Sequence, residues 1–114
     1  MAIRLRPGKN YKLRVPKDMP VKQCWALIIY DTATYAFIYN PIARVGLSSR
    51  EIPSMKTNAD GSVDIYFGPE APAGLESNWI PTEGKAPSPV MRFYGPDQAF
   101  WNKSFKMPDV ELLR

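Results

Sequence analysis

Along the chain, hydrophobic and polar positions alternate or cluster in short stretches, and none repeats at helical spacing over the length a helix needs. Tyr11, Leu13 and Val15 alternate with Lys12 and Arg14, which predicts a half-buried strand ended by Pro16. In Gln23 to Asp31, Trp25, Leu27 and Ile29 would point one way and Cys24, Ala26, Ile28 and Tyr30 the other, so both sides are largely apolar. A run this rich in Trp, Ile and Tyr fits a strand covered on both faces. A buried helix is the rival, because periodicity alone does not separate the two over so few residues. Asp31-Thr32-Ala33-Thr34 supplies turn chemistry and Tyr35 to Tyr39 returns, so residues 23 to 39 read as a hairpin.

Further on, Ile42 to Met55 is less periodic and reads as a long connection or irregular edge. Asn58-Ala59-Asp60-Gly61 is a turn signal, since Asn and Asp bond their own backbone and Gly accepts positive φ. Val63 to Phe67 alternates as a strand; a Gly/Pro loop, residues 68 to 74, leads to a short strand at Ser77 to Ile80. Val90 to Tyr94 is a further strand, residues 97 to 102 allow one short helix with Phe100 and Trp101 packing back on the sheet, and Met107 to Leu113 is extended or irregular. Short strands with proline and glycine turns predict an all-β, antiparallel sandwich or barrel, one domain over residues 1 to 114.

Composition changes the picture chiefly by exclusion. The 114 residues contain no histidine and a single cysteine, which removes Ser-His-Asp and Cys-His nucleophilic machinery, His metal sites, zinc ribbons and disulfide frameworks. No cofactor and no metal site is expected. Twelve prolines leave long crossover helices almost nowhere to form. The net charge of +4 is uneven: residues 1 to 22 carry Arg4, Arg6, Lys9, Lys12, Arg14, Lys17 and Lys22 against Asp18 alone. Because Lys12 and Arg14 fall on a strand pattern, this end reads as a solvated basic face. Without interleaved aromatics, nucleic acid is not the expected partner. No apolar run approaches a membrane span and no signal core opens the chain, so a cytoplasmic protein is expected.

The stretch from Asn58 to Ile80, with its Gly68-Pro69-Glu70-Ala71-Pro72-Ala73-Gly74 loop and Glu76-Ser77-Asn78-Trp79-Ile80, strongly resembles the signature of the bacterial family called domain of unknown function 1214. The resemblance extends to Asn10-Tyr11-Lys12-Leu13, Trp25, Tyr30-Asp31, Arg92-Phe93-Tyr94-Gly95-Pro96 and Lys106-Met107-Pro108-Asp109, covering about residues 8 to 112. It implies a jelly-roll-like β-sandwich, no established reaction, and a domain that usually follows a partner, domain of unknown function 1254, in a longer protein. Members carry Gln after Asn-Trp-Ile, where this chain has Pro81, and a Pro-Gly-Lys-Gly-aromatic turn is reduced to Glu83-Gly84-Lys85-Ala86-Pro87.

Candidate chemistry gathers on the same segment. Glu76, Asn78 and Trp79 near the proline loop, with Arg92 on a later strand, form the candidate ligand-binding set. Arg92 is placed to pair with Glu76 across neighbouring strands, and Glu76 and Asn78 have an architectural alternative, bonding backbone groups to hold the loop. Trp25 is core filling, while Trp79 has loop-like flanks suited to a flat carbohydrate contact. Cys24 reads as an inert core thiol. Asn58, Asp60 and Asp64 begin like a calcium loop, but the position of the bidentate Glu falls on Phe67. Two functions stand side by side: a non-catalytic module for binding or assembly, as a homo-oligomer or with a partner domain in trans, and a carbohydrate-active or other small-molecule enzyme using Glu70 and Glu76, with Tyr66 or Arg92 assisting.

Overall fold

The computed structural model describes residues 5–102 and 105–113. Arg4, one of the seven bases noted above, lies outside them. Two sheets face each other across an apolar core, so the all-β sandwich expectation holds.

The first sheet has strand order β5-β4-β1-β7: β1 is Tyr11–Val15, β4 Val63–Gly68, β5 Trp79–Pro81 and β7 Glu111–Leu112. The second has order β3-β2-β6: β2 is Val21–Asp31, β3 Gly46–Ser48 and β6 Pro87–Pro96. Alternation decides what enters the core. Tyr11, Leu13 and Val15 of β1 oppose Phe67, Ile65 and Val63 of β4 in register, and all six are buried. Trp25, Leu27 and Ile29 meet them from β2, with Leu47 of β3 and Ile80 of β5. Burying each fully enclosed side chain such as Phe67, Ile65 or Leu27 contributes about 1.5–3 kcal/mol.

The run at Gln23 to Asp31 is a strand, not a helix, and it extends back to Val21. Its pairing differs from the expected hairpin. Residues 35 to 39 form no strand; they meet the end of β2 at a single antiparallel bridge between Tyr30 and Phe37, beside a hydrogen bond from Asp31 N–H to the Ala36 carbonyl. The reason is local: Asp31 accepts at its side chain from Ala33 N–H and at its carbonyl from Tyr35 N–H, and Tyr35 adopts a left-handed φ of 57°, which ends extended structure. The neighbours of β2 are instead β3 and the distant β6, which runs antiparallel along nearly its whole length. The irregular stretch at Ile42 to Met55 contains β3 and a 3-10 turn, Ser49–Ser54, capped reciprocally by Ser48 and Glu51.

One pair is parallel, contrary to a purely antiparallel design: β5 runs alongside β4, joined by residues 69–78. That connection is shorter than the roughly dozen residues a parallel crossover usually needs, and the proline loop folds tightly to make it. Gly68, at its start, lies against Asn10, whose Cα would be 2.7 Å from an added Cβ. At the other turn, Gly61 takes φ 89° as its Asn-Ala-Asp-Gly context predicts. The short helix, α1, is Gln98–Trp101. Phe100 packs on Phe93 at 5.0 Å between ring centroids, but Trp101 stays largely exposed, edge-on to Phe100. Among the described residues, no helix is long and apolar enough to cross a membrane.

Candidate functional site

Glu76 and Asn78 form a 3-10 turn that runs directly into Trp79 at the head of β5, so three of the four candidate residues are brought together. Arg92 is not among them. It lies on β6, in the other sheet, on the far side of β2 from β3. The expected Glu76–Arg92 pair does not form. Arg92 donates to the Tyr30 hydroxyl at 2.8 Å, and that bond holds its guanidinium even more firmly charged than usual.

The arginine that serves the Glu76 turn is Arg44, which sequence reasoning missed. Its guanidinium donates to the carbonyls of Glu76 and Trp79, both at 2.8 Å. Arg44 is itself positioned by Asn40, which exchanges hydrogen bonds with its backbone N–H and carbonyl. The Asn40-Pro41 turn was visible in the sequence, but its reach to a loop more than thirty residues away was not.

Asn78 is 1% exposed, and every valence of its amide is used. The carbonyl oxygen accepts from Lys56 N–H at 2.9 Å and from the Ser77 hydroxyl at 2.8 Å; the amide nitrogen donates to the carbonyls of Lys56 and Asp64. It therefore ties the turn to β4 and to the strand-like segment before the Asn58 turn, the architectural role foreseen for it. Trp79 is half-buried, and its indole N–H donates to the Gly68 carbonyl at 3.0 Å. It stands in register with Tyr66, so the two rings share the outer face of the first sheet. The Glu76 side chain is exposed to solvent.

The rest of that outer face is charged and paired. Arg14 grips Asp64 with two bonds, 2.8 and 3.1 Å, and Lys12 meets Glu111 at 3.1 Å. The Arg14 guanidinium, helped by Asn58, draws the Asp64 carboxyl below its ordinary range against the opposing effect of partial burial. Asp60 is held below its ordinary range by the Ser62 hydroxyl and amide. The residues that resemble the start of a calcium loop thus hydrogen-bond one another and Ser62. Two of the seven N-terminal bases are neutralised by carboxylates on neighbouring strands.

Glu70 lies elsewhere again. Its backbone N–H donates to the Asn10 side chain at 3.1 Å, and it lines an open cleft of about 240 Å³ with Asn10, Ala71, Pro72 and Leu113. That is below the roughly 300–1,000 Å³ of typical small-molecule pockets. Tyr66 lies on the outer face with Trp79, and Cys24 is buried. At the end of β5, the hydroxyl of Thr82 is buried without a hydrogen-bond partner.

The model of a family described as protein of unknown function (DUF1214) matches residues 2–98. Among solved structures, the VPA0106 protein from Vibrio parahaemolyticus superposes with a TM-score of 0.81 at 25% identity, over 96% of this chain and 27% of that one. An uncharacterized protein from Burkholderia cenocepacia superposes at 0.58 with 16% identity, likewise over 96% of this chain and 27% of that one. The chain thus spans about a quarter of the length of either. No curated protein matches it.

Proposed function

The chain belongs to the DUF1214 family of proteins of unknown function, and from that premise we propose that it acts as a non-catalytic β-sandwich module for binding or assembly. The observation that carries this reading is the contrast between its two outer faces. On the first sheet, Lys12, Arg14, Asp64 and Glu111 are ion-paired, as suits a surface in water. On the second, β2 turns Ala26, Ile28 and Tyr30 outward beside the buried Cys24, and the charges on these strands are Lys22 at the exposed start of β2 and Arg92 on β6. An antiparallel sheet with one solvated face ordinarily alternates apolar-in and polar-out. This one does not, and an apolar sheet face is a docking surface.

The candidate binding residues fit the same reading. Asn78 is committed to the backbone, and Arg92, bonded to Tyr30, belongs to the outer face of the second sheet and not to the Glu76 turn. Trp79 and Tyr66 remain as an aromatic pair for a flat ligand such as a sugar ring. The enzyme reading is favoured only by the small cleft at Glu70. A panel of glycoside and ester substrates decides between the two. The module reading expects no turnover above background for the folded chain; hydrolysis that disappears in Glu70→Gln or Glu76→Gln, with the thermal melt unchanged, would overturn it.

A further inference from the structure

On the outer face of the first sheet the four strands fall into cross-strand rows. One row is Trp79 of β5, Tyr66 of β4, Lys12 of β1 and Glu111 of β7, each in register with the next. Side chains two residues apart share a face, so the next row is Pro81, Gly68, Asn10 and Leu113. The backbone continues the pairing there, since Leu113 N–H donates to the Asn10 carbonyl. Asn10 and Leu113 also line the cleft that holds Glu70. The aromatic row and the cleft are therefore neighbours on one face.

We propose that these two rows bind a neutral oligosaccharide, with Trp79 and Tyr66 as the stacking platform and Lys12, Glu111, Asn10 and Glu70 as its hydrogen-bonding groups. The inference rests on the binding reading and names the ligand of the Trp79–Tyr66 pair. Three features favour a sugar chain.

The first is a platform fixed in advance. The Trp79 indole N–H is held by the Gly68 carbonyl at 3.0 Å, a bond in the plane of the ring that consumes neither face. It leans the ring toward the second row, which has no side chain at Gly68. An aromatic already held in place loses little freedom when a ligand stacks on it. The Tyr66 hydroxyl makes no hydrogen bond within the described residues and is available to a sugar hydroxyl.

The second is the supply of donors and acceptors. Sugar hydroxyls both donate and accept, and the row sets an ammonium, Lys12, 3.1 Å from an exposed carboxylate, Glu111. In the cleft, Asn10 Oδ1 accepts from Glu70 N–H at 3.1 Å, which leaves the Asn10 amide nitrogen to donate and the exposed Glu70 carboxylate to accept.

The third is charge and length. One cation against two carboxylates leaves no positive excess, an arrangement that suits a neutral ligand and repels uronates or phosphates. Three strand spacings of ~4.8 Å make the row ~14 Å long, longer than a single ring. The cleft of about 240 Å³ has the room of about eight waters at ~30 Å³ each, enough for one further ring beside the platform.

Isothermal titration calorimetry of the folded chain with cellohexaose, maltohexaose, mannohexaose and xylohexaose tests the proposal, with hexagalacturonic acid as the acidic counterpart. At least one neutral hexasaccharide should bind saturably with a Kd below ~1 mM, and the acidic one at least ~10-fold more weakly. Tyr66→Ala and Glu111→Ala should each weaken binding several-fold with the thermal melt unchanged. Trp101→Ala, which removes the most exposed tryptophan from the short helix, should leave binding unaltered. If Tyr66→Ala fails to fold, Glu111→Ala decides alone, because Glu111 is exposed on an edge strand. No binding of any neutral hexasaccharide, tighter binding of hexagalacturonic acid, or binding that survives both substitutions in folded protein overturns the proposal. Such a failure leaves the module reading intact, since that stands or falls on turnover by Glu70 and Glu76.

Discussion

Asn78 shows how much a single amide can hold. It joins two backbone segments and β4 through four hydrogen bonds, all in a buried position. Asn78→Ala leaves those partners unsatisfied and should destabilise the fold by about 2–4 kcal/mol, read as a lower urea midpoint with an unchanged m-value. The neighbouring ion pair makes a pH prediction. Asp64 is held below its ordinary range in the folded chain, so it binds protons more readily when unfolded. Its contribution is therefore fully present above the unfolded value of about 4 and is lost as pH falls through the lower folded value. Asp60 acts in the same direction. Urea midpoints measured from neutral pH into acid should fall below about pH 4 for the unaltered chain and flatten in Asp64→Asn, which starts lower at neutral pH. At this scale the sequence was informative about type but not about partner. Asn78 was recognisable as a loop fastening, but that Lys56 and Asp64 would supply its bonds depends on the β4–β5 pairing. Arg92 was expected beside Glu76 and instead bonds the Tyr30 hydroxyl, because its partner depends on the β2–β6 pairing.

Among the elements, β2 was the most legible and also the most instructive. Its Trp-, Ile- and Tyr-rich run fitted a strand, with a buried helix as the rival, and its two apolar sides predicted cover on both. The inner side is fully covered within the chain, with Trp25, Leu27 and Ile29 buried; on the outer side Cys24 is buried and Ala26, Ile28 and Tyr30 are half-buried. The hairpin with residues 35 to 39 was wrong because adjacency in sequence predicts pairing only when the turn permits it, and the left-handed Tyr35 diverts the chain. The partner β6, some sixty residues away, has no local signal that names β2. The parallel β5 escaped notice for a like reason: a proline loop over residues 69–78 reads as a reversal, yet it brings the chain back in the same direction. Arg44 stabilises that unusual connection from the β3 side. Arg44→Ala should cost about 1.5–3 kcal/mol, the usual worth of hydrogen bonds from a charged group, and should speed amide hydrogen exchange at residues 76–79 more than in β1 or β4.

As a whole, the molecule has one outer face lined by ion pairs and one that is largely apolar along β2. The basic excess at the N-terminal end, which composition alone would assign to a charged partner, is partly neutralised inside the first sheet by Asp64 and Glu111. The second sheet carries the face to which docking is assigned in the proposal, and the likeness to chains about four times as long shows that this fold occurs within larger polypeptides. The fold class could be read from alternation, proline content and the family signature together. The outer face of the second sheet could be read only in part, since two-sided apolar character was plain in β2 while Val90, Arg92 and Tyr94 joined it through long-range pairing. The panel of glycoside and ester substrates tests the central claim most directly. The account predicts no turnover above background for the folded chain. Hydrolysis that disappears in Glu70→Gln or Glu76→Gln, with the thermal melt unchanged, would contradict it.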